Sequence, residues 1–261
     1  MVSGGIHRKG SGLKVCYIGC SFTYGDEIPE QDVWCNRLDK YFDCDSVNIA
    51  SNGNSNHNIF TQALHSRQQD YDVIFVQWTR MYRITQFPKP ETQCNIAPNS
   101  RSKVTHSEYG DFIFSKSMKQ QLLDLNIVTN NIYNLLKNIL DYSLALQDLD
   151  DRFVFFNLGL DAEFNPDLNN GAPDDLYSLR SVTKDMLDFD HNSDEHIIFL
   201  LTQLQNKYKK IDFTRWLSIY PSIIETAHQQ GDIIGTHPGK LSHERIFMKA
   251  KEYIQTSPLI C

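Results

Sequence analysis

The chain has 261 residues, of which 41% are hydrophobic and 22% charged. These are the proportions of a soluble globular protein, long enough for one α/β domain with a sizeable core or two small domains. A net charge of −7 argues against a general nucleic-acid-binding face, which needs a surplus of cations. No apolar run approaches the roughly 20 residues of a membrane-spanning helix.

Residues 1–12 are polar and glycine-rich and lack the apolar middle of a secretory leader, so they read as a flexible arm. The expectation is a cytoplasmic protein with neither a nucleic-acid nor a membrane partner. The six cysteines, Cys16, Cys20, Cys35, Cys44, Cys94 and Cys261, form no CxxC pair. They read as reduced, packed thiols rather than as zinc ligands.

In chain order, 13–19 reads as a buried strand and 32–42 as a helix with Val33, Leu38 and Tyr41 or Phe42 inward. A short strand over 47–50 runs into Ser51-Asn52-Gly53-Asn54-Ser55-Asn56, a loop of turn-forming residues. Asn56 is the candidate N-cap of a helix over 57–67. The continuous apolar run within 71–78 reads as a strand buried on both faces. The stretch 85–117 has no period and holds Pro88, Pro90 and Pro98, so it reads as an irregular excursion.

Apolar residues from Met118 to Leu149 recur at helical spacing, as one long helix or two joined end to end. A strand over 152–158, a loop over 159–175 and helices over 193–209, 219–230 and 241–254 complete the reading. Strands separated by helices predict a three-layer α/β/α sandwich with a central, mostly parallel sheet, carrying helical and loop insertions. The expected organisation is a single domain over 13–261.

Ser21 follows the first strand within Gly19-Cys20-Ser21-Phe22-Thr23-Tyr24-Gly25, and His237-Pro238-Gly239 precedes the last helix. A strand ending in a small-residue turn is one way to present a nucleophilic hydroxyl, and a serine needs a base to take its proton. Asn48 to Asn56, with Gly53 at its centre, and Val76-Gln77-Trp78-Thr79-Arg80 stand between these two blocks.

In order and separation the four blocks resemble those of the SGNH/GDSL hydrolases, whose fold is flavodoxin-like. The resemblance implies Ser21 as nucleophile, His237 as general base, and backbone N–H groups of Ser21 and Gly53 as oxyanion donors. Cys20 stands where the family usually has aspartate. Thr79 stands nearest the family's third oxyanion donor, an asparagine, with Asn54 or Asn56 as substitutes from the neighbouring loop. Ile234 or Gly235 occupies the place of the family's acid, and Asp232, five residues before His237, is the nearest carboxylate.

Trp78 and Arg83, with Arg80 as the alternative arginine, are candidate substrate contacts beyond the third strand, on the side where α/β sheets bind ligands. The acidic and histidine cluster at 188–196 reads as a helix start with Asp194 and Glu195 in its first turn, not as a metal site. The expected function is an esterase that cleaves a small O-acyl ester, such as an O-acetylated carbohydrate, through an acyl-enzyme on Ser21. It needs neither metal nor cofactor. A noncatalytic binding module of the same fold, an acyltransferase using the same site and a metal-dependent hydrolase are the other readings.

Overall fold

The computed structural model describes residues 12–79, 132–157, 206–217 and 237–258, the backbone of 84–89 and 92–96, and short pieces at 199, 202–204, 227 and 230–235. Strand β1, Lys14–Ile18, has Val15, Cys16, Tyr17 and Ile18 all fully buried. A strand covered on both faces belongs in the middle of a sheet. Strand β2, Asp45–Asn48, pairs along one side of β1. Strand β3, Val73–Trp78, pairs along the other. All the described pairings in this sheet are parallel, and a later strand, Phe153–Asn157, completes the order β2-β1-β3-(153–157). Beyond that strand Trp216 adds one parallel bridge to Phe155, and Leu217 N–H donates to the Phe155 carbonyl at 2.8 Å.

The two faces of the sheet are separated by strict alternation. Val15, Tyr17, Val73, Phe75, Val154 and Phe156 point into one core cluster, and Cys16, Ile18, Ile74, Val76, Phe153 and Phe155 into the other. On the first face lie helix α2, Trp34–Phe42, and the C-terminal helix Lys240–Thr256. Trp34 seats edge-on among rings from three strands, with centroids 5.1 Å from Tyr17, 5.6 Å from Phe75 and 5.4 Å from Phe156. Arg37 ties the two helices by an ion pair with Glu244 and by lying 4.7 Å over the Phe247 ring. On the second face lie helix α3, Asn56–Ser66, and helix α4, Ile132–Leu149, joined by the stacked rings of Phe60 and Tyr142 at 4.3 Å. With α1, Ser21–Tyr24, the C-terminal helix is α5 among the described helices.

The central strands, helix α2 and the last helix match the sequence reading to within a few residues, and two elements differ in kind or in capping. Residues within 85–117 that read as irregular include a hairpin of β4, Ile84–Lys89, and β5, Thr92–Ile96, so the strand Phe153–Asn157 is β6. Pro88 obscured it: the pairing slips between Gln86 and Lys89, where a residue without an N–H interrupts the ladder. Helix α3 is capped by Ser55, whose hydroxyl accepts from Asn58 N–H, so Asn56 lies one residue inside the helix rather than at its cap. The first half of the 118–149 stripe, the 159–175 loop and most of 193–230 lie outside the described residues. Among the described residues no helix is long and apolar enough to cross a membrane.

Candidate active site at the carboxyl ends of β1 and β3

Chain order reverses across β1: β2 lies to one side, and β3 to the other. In open α/β sheets the crevice at such a switch point, at the carboxyl ends of the strands, is where ligands bind. Ser21 begins α1 just beyond β1, and Thr79 directly follows the neighbouring strand β3. Gly19 makes this close approach possible. A Cβ there would lie 2.8 Å from both Gln77 Oε1 and Thr23 Oγ1 and 2.9 Å from Gln77 Cβ. Gln77 fastens the turn, accepting from Thr23 Oγ1 at 2.6 Å and donating to Cys20 Sγ at 2.9 Å. Cys20 is therefore held in the core, fully buried, and Ser21 carries the hydroxyl of the turn.

Ser21 is 3% exposed, and among the described residues its Oγ has no hydrogen-bond partner. Leaving a buried hydroxyl unpaired costs about 1–3 kcal/mol. A native fold keeps such a group mainly where it has work to do.

The asparagine-rich loop holds the second wall. Asn54 N–H closes a turn onto the Ser51 carbonyl at 3.2 Å with Gly53 at φ 71°, a left-handed conformation that glycine adopts without strain. The asparagines have different tasks. Asn48 fastens Thr23 O, and Asn52 reaches Asp26 at 2.9 Å. Asn54 donates both side-chain hydrogens, to Gly19 O and Gln62 Oε1, each at 2.9 Å, and accepts from Asn58. Asn56 brackets Thr79, accepting from its N–H at 2.8 Å and donating to its carbonyl at 2.9 Å. This corrects the expectation for Asn54 as an oxyanion donor, because its amide hydrogens are already spent on the scaffold. Thr79, 1% exposed, remains on a backbone locked by Asn56.

His237 stands on a two-stranded hairpin, β7, Ile233–Ile234, with β8, His237–Pro238. The hairpin packs on α1, and the His237 ring meets Phe22, the residue after Ser21, edge-on at 5.2 Å and 88°. Its Nδ1 lies 2.6 Å from Glu27 Oε2. An ionised carboxylate oxygen can only accept, so in the neutral ring this contact calls for the proton on Nδ1 and leaves the lone pair on Nε2.

The carboxylate at His237 Nδ1 is thus that of Glu27, and Asp232 is engaged at the start of the last helix. The Asp232 carboxylate accepts from Leu241 N–H at 3.2 Å, and from Ser242 N–H and Oγ at 2.7 Å each. It therefore caps α5, whose own N-cap residue, Gly239, has no side chain with which to do so. A Cβ at 239 would lie 2.4 Å from Asp232 Oδ1, so a side chain there would displace the capping carboxylate. Asp232→Ala is expected to lower stability by about 1–2 kcal/mol in urea unfolding while leaving any esterase rate within about threefold of the parent.

Trp78 is fully buried and stacks on Phe155 at 6.2 Å. Among the described residues it belongs to the second core. Arg80, Arg83 and the 188–196 cluster lie outside the described residues. Glu27 was missed by sequence reasoning. Its signal was indirect: an acidic pair, Asp26-Glu27, just after the Ser21 turn, and no carboxylate at Ile234 or Gly235.

No protein-family model matches the chain, and no curated protein matches it in sequence. Among solved structures it is similar to TesA, at 11% identity and a TM-score of 0.44, covering 95% of this chain and 99% of that one. It is similar to a salicylyl-acyltransferase from a tetracycline biosynthetic pathway, at 10% identity and a TM-score of 0.43, over 96% of this chain and 57% of that one. It is also similar to a protein of Slackia heliotrinireducens proposed to be an SGNH hydrolase, at 8% identity and a TM-score of 0.36, over 94% of this chain and all (100%) of that one.

Proposed function

We propose that this chain is a serine-dependent acyl-ester hydrolase with Ser21 as nucleophile and His237 as general base. The observation that carries the reading is the buried, unpartnered Ser21 Oγ at the switch point, with the His237 hairpin packed against the adjoining Phe22. Nε2 of His237 takes the proton of Ser21 Oγ as the oxygen attacks the ester carbonyl. The tetrahedral oxyanion is met by the backbone N–H groups of Ser21 and Gly53, with Thr79 Oγ1 as third donor. Each preorganised donor of this kind contributes roughly 3 kcal/mol to lowering the barrier. Collapse of the intermediate expels the alcohol, which takes the proton from His237. Water activated by the same imidazole then releases the acid and restores Ser21.

The near-complete burial of Ser21 favours a small acyl group, with acetyl on a carbohydrate or other polyol as the proposed substrate class. An alcohol in place of water would make the same site an acyltransferase.

A fluorophosphonate probe tests the reading. The expected result is stoichiometric labelling of wild type on the peptide containing Ser21, and none of Ser21→Ala with an unchanged circular dichroism spectrum. An unlabelled but folded wild type would overturn the enzyme reading in favour of a noncatalytic binding module.

A further inference from the structure

We propose that Glu27, on the loop that follows the nucleophile helix, is the carboxylate that positions His237. The inference rests on the Ser21–His237 reading above and adds to it a residue from outside the histidine block. The hairpin that carries His237 supplies no acid of its own. Asp232 is committed to the N-terminus of α5, and the two residues between the paired strands are Gly235 and Thr236. The contact at Nδ1 is instead made across 210 residues of sequence, by Glu27 Oε2 at 2.6 Å.

Three features of the chain serve this one contact. First, Gly235 leaves room for it. A Cβ there would lie 2.4 Å from Glu27 Oε2 and 2.7 Å from its Cδ and Oε1. The side chain that Gly235 lacks and the arriving carboxylate would occupy the same space. Gly235 also has φ 57°, the left-handed conformation that a tight hairpin turn asks of it.

Second, Glu27 itself has φ 64°. A non-glycine residue in the left-handed region costs on the order of 1 kcal/mol and persists where its surroundings hold it. Third, those surroundings are the site. Gly25 and Asp26 N–H groups both donate to Ser21 O, at 2.9 and 3.0 Å, and the Asp26 carboxylate is held by Asn52 of the Gly53 turn at 2.9 Å. One short loop thus joins the nucleophile, the oxyanion turn and the imidazole.

Stability alone does not account for this arrangement. The Glu27 side chain is 40% exposed, and a carboxylate so open to water gains little from an ion pair. A fixed ring orientation and a fixed tautomer are what the contact provides.

The test compares Glu27→Gln, Glu27→Asp, Gly235→Ala and Asp232→Asn with wild type, each checked for folding by circular dichroism. In 15N-histidine NMR of wild type the His237 ring is expected as the Nδ1–H tautomer, and in Glu27→Gln as a mixture. With p-nitrophenyl acetate, Glu27→Gln is expected to lower kcat by about 10³-fold with KM changed less than threefold. Glu27→Asp should recover part of that loss. Gly235→Ala should reproduce the defect without adding to it in the double variant, and Asp232→Asn should keep the rate.

A His237 tautomer unchanged by Glu27→Gln, or a kcat within twofold of wild type, would overturn the proposal. The NMR readout needs no turnover. An inactive wild type whose tautomer still depends on Glu27 would defeat the esterase reading and leave the positioning contact standing.

Discussion

Ser21→Ala is expected to lower kcat/KM for p-nitrophenyl acetate by roughly 10⁴-fold or more, and His237→Ala in the same background to cost almost nothing further. In the proposed mechanism the two groups act in one step. The imidazole accelerates only by taking the proton that Ser21 Oγ gives up, so once the hydroxyl is gone the base has nothing to deprotonate. Two independent contributions would instead multiply, and the double variant would lose the product of the two factors.

The residual rate in the double variant measures what the scaffold does alone. The turn bearing Gly53 and the backbone at Ser21 survive both substitutions, so some oxyanion stabilisation remains for direct attack by water. Folding is not at risk in Ser21→Ala, because the Oγ makes no hydrogen bond among the described residues that the substitution could break. Removing an unpaired buried hydroxyl is expected to raise the midpoint of urea unfolding slightly. A variant that is less active and no less stable separates a catalytic serine from a structural one.

The sheet was legible in the sequence mainly through β1, β3 and β6, whose residues are buried on both faces, whereas β2 is mostly exposed. Val73 to Val76 and Val15 to Ile18 are continuous apolar runs, and their shortness and β-branched and aromatic content favour a buried strand over a buried helix. Ser21 and His237 were singled out because one follows a strand at a small-residue turn and the other precedes the last helix; the hairpin under His237 left no signal. The partner of His237 was not singled out. Glu27 reaches it through a positive φ, a glycine across the gap and a contact between the two ends of the chain. None of these leaves a periodic signal.

Asp232 was the wrong partner for a related reason. Nearness in sequence favoured it, whereas the unpaired N–H groups of α5 held a stronger claim on its oxygens. The roles of Asn54 and Asn56 were equally hidden. Composition marks a turn-rich loop, and only the fold tells which amide hydrogens are already committed.

Stability between pH 6.5 and 4 is expected to fall by about 3 kcal/mol through His243 alone. His243 is 1% exposed, and its Nδ1 accepts from Trp34 N–H, the first helical residue of α2, at 3.2 Å. It thereby serves a helix whose N-cap, Val33, offers no side-chain acceptor. The bond requires a neutral ring, since a protonated imidazole has no lone pair to offer. Burial is the main force against the charged form and pushes the pKa down to about 4. The nearby His237 and Arg37 add to it, and Asp232 and Asp32 oppose it.

In the unfolded chain the same imidazole titrates near its ordinary 6.5. The sign follows from which state binds the proton. Above pH 6.5 neither state is charged, and the stabilisation is complete. As pH falls from 6.5 towards 4 the unfolded state gains a proton that the folded state refuses, and stability declines at about 1.4 kcal/mol per pH unit. Below about 4 both states are protonated, and this contribution levels off.

Asp141, Asp150 and Asp212, all held below the usual carboxylate value, withdraw their support only at lower pH, from 3.8 downwards. Burial raises Asp39 instead, which acts in the opposite sense as acid is added. A difference measurement removes these shared terms. His243→Asn keeps an acceptor near the Nδ1 position and cannot titrate. Urea midpoints at pH 7.5, 5.5 and 4.5 should fall steeply for the parent and more gently for the variant, so that the two curves converge as pH drops. Parallel curves would mean that His243 takes up its proton in the folded protein as readily as in the unfolded chain, and the hydrogen bond to α2 would have to be withdrawn.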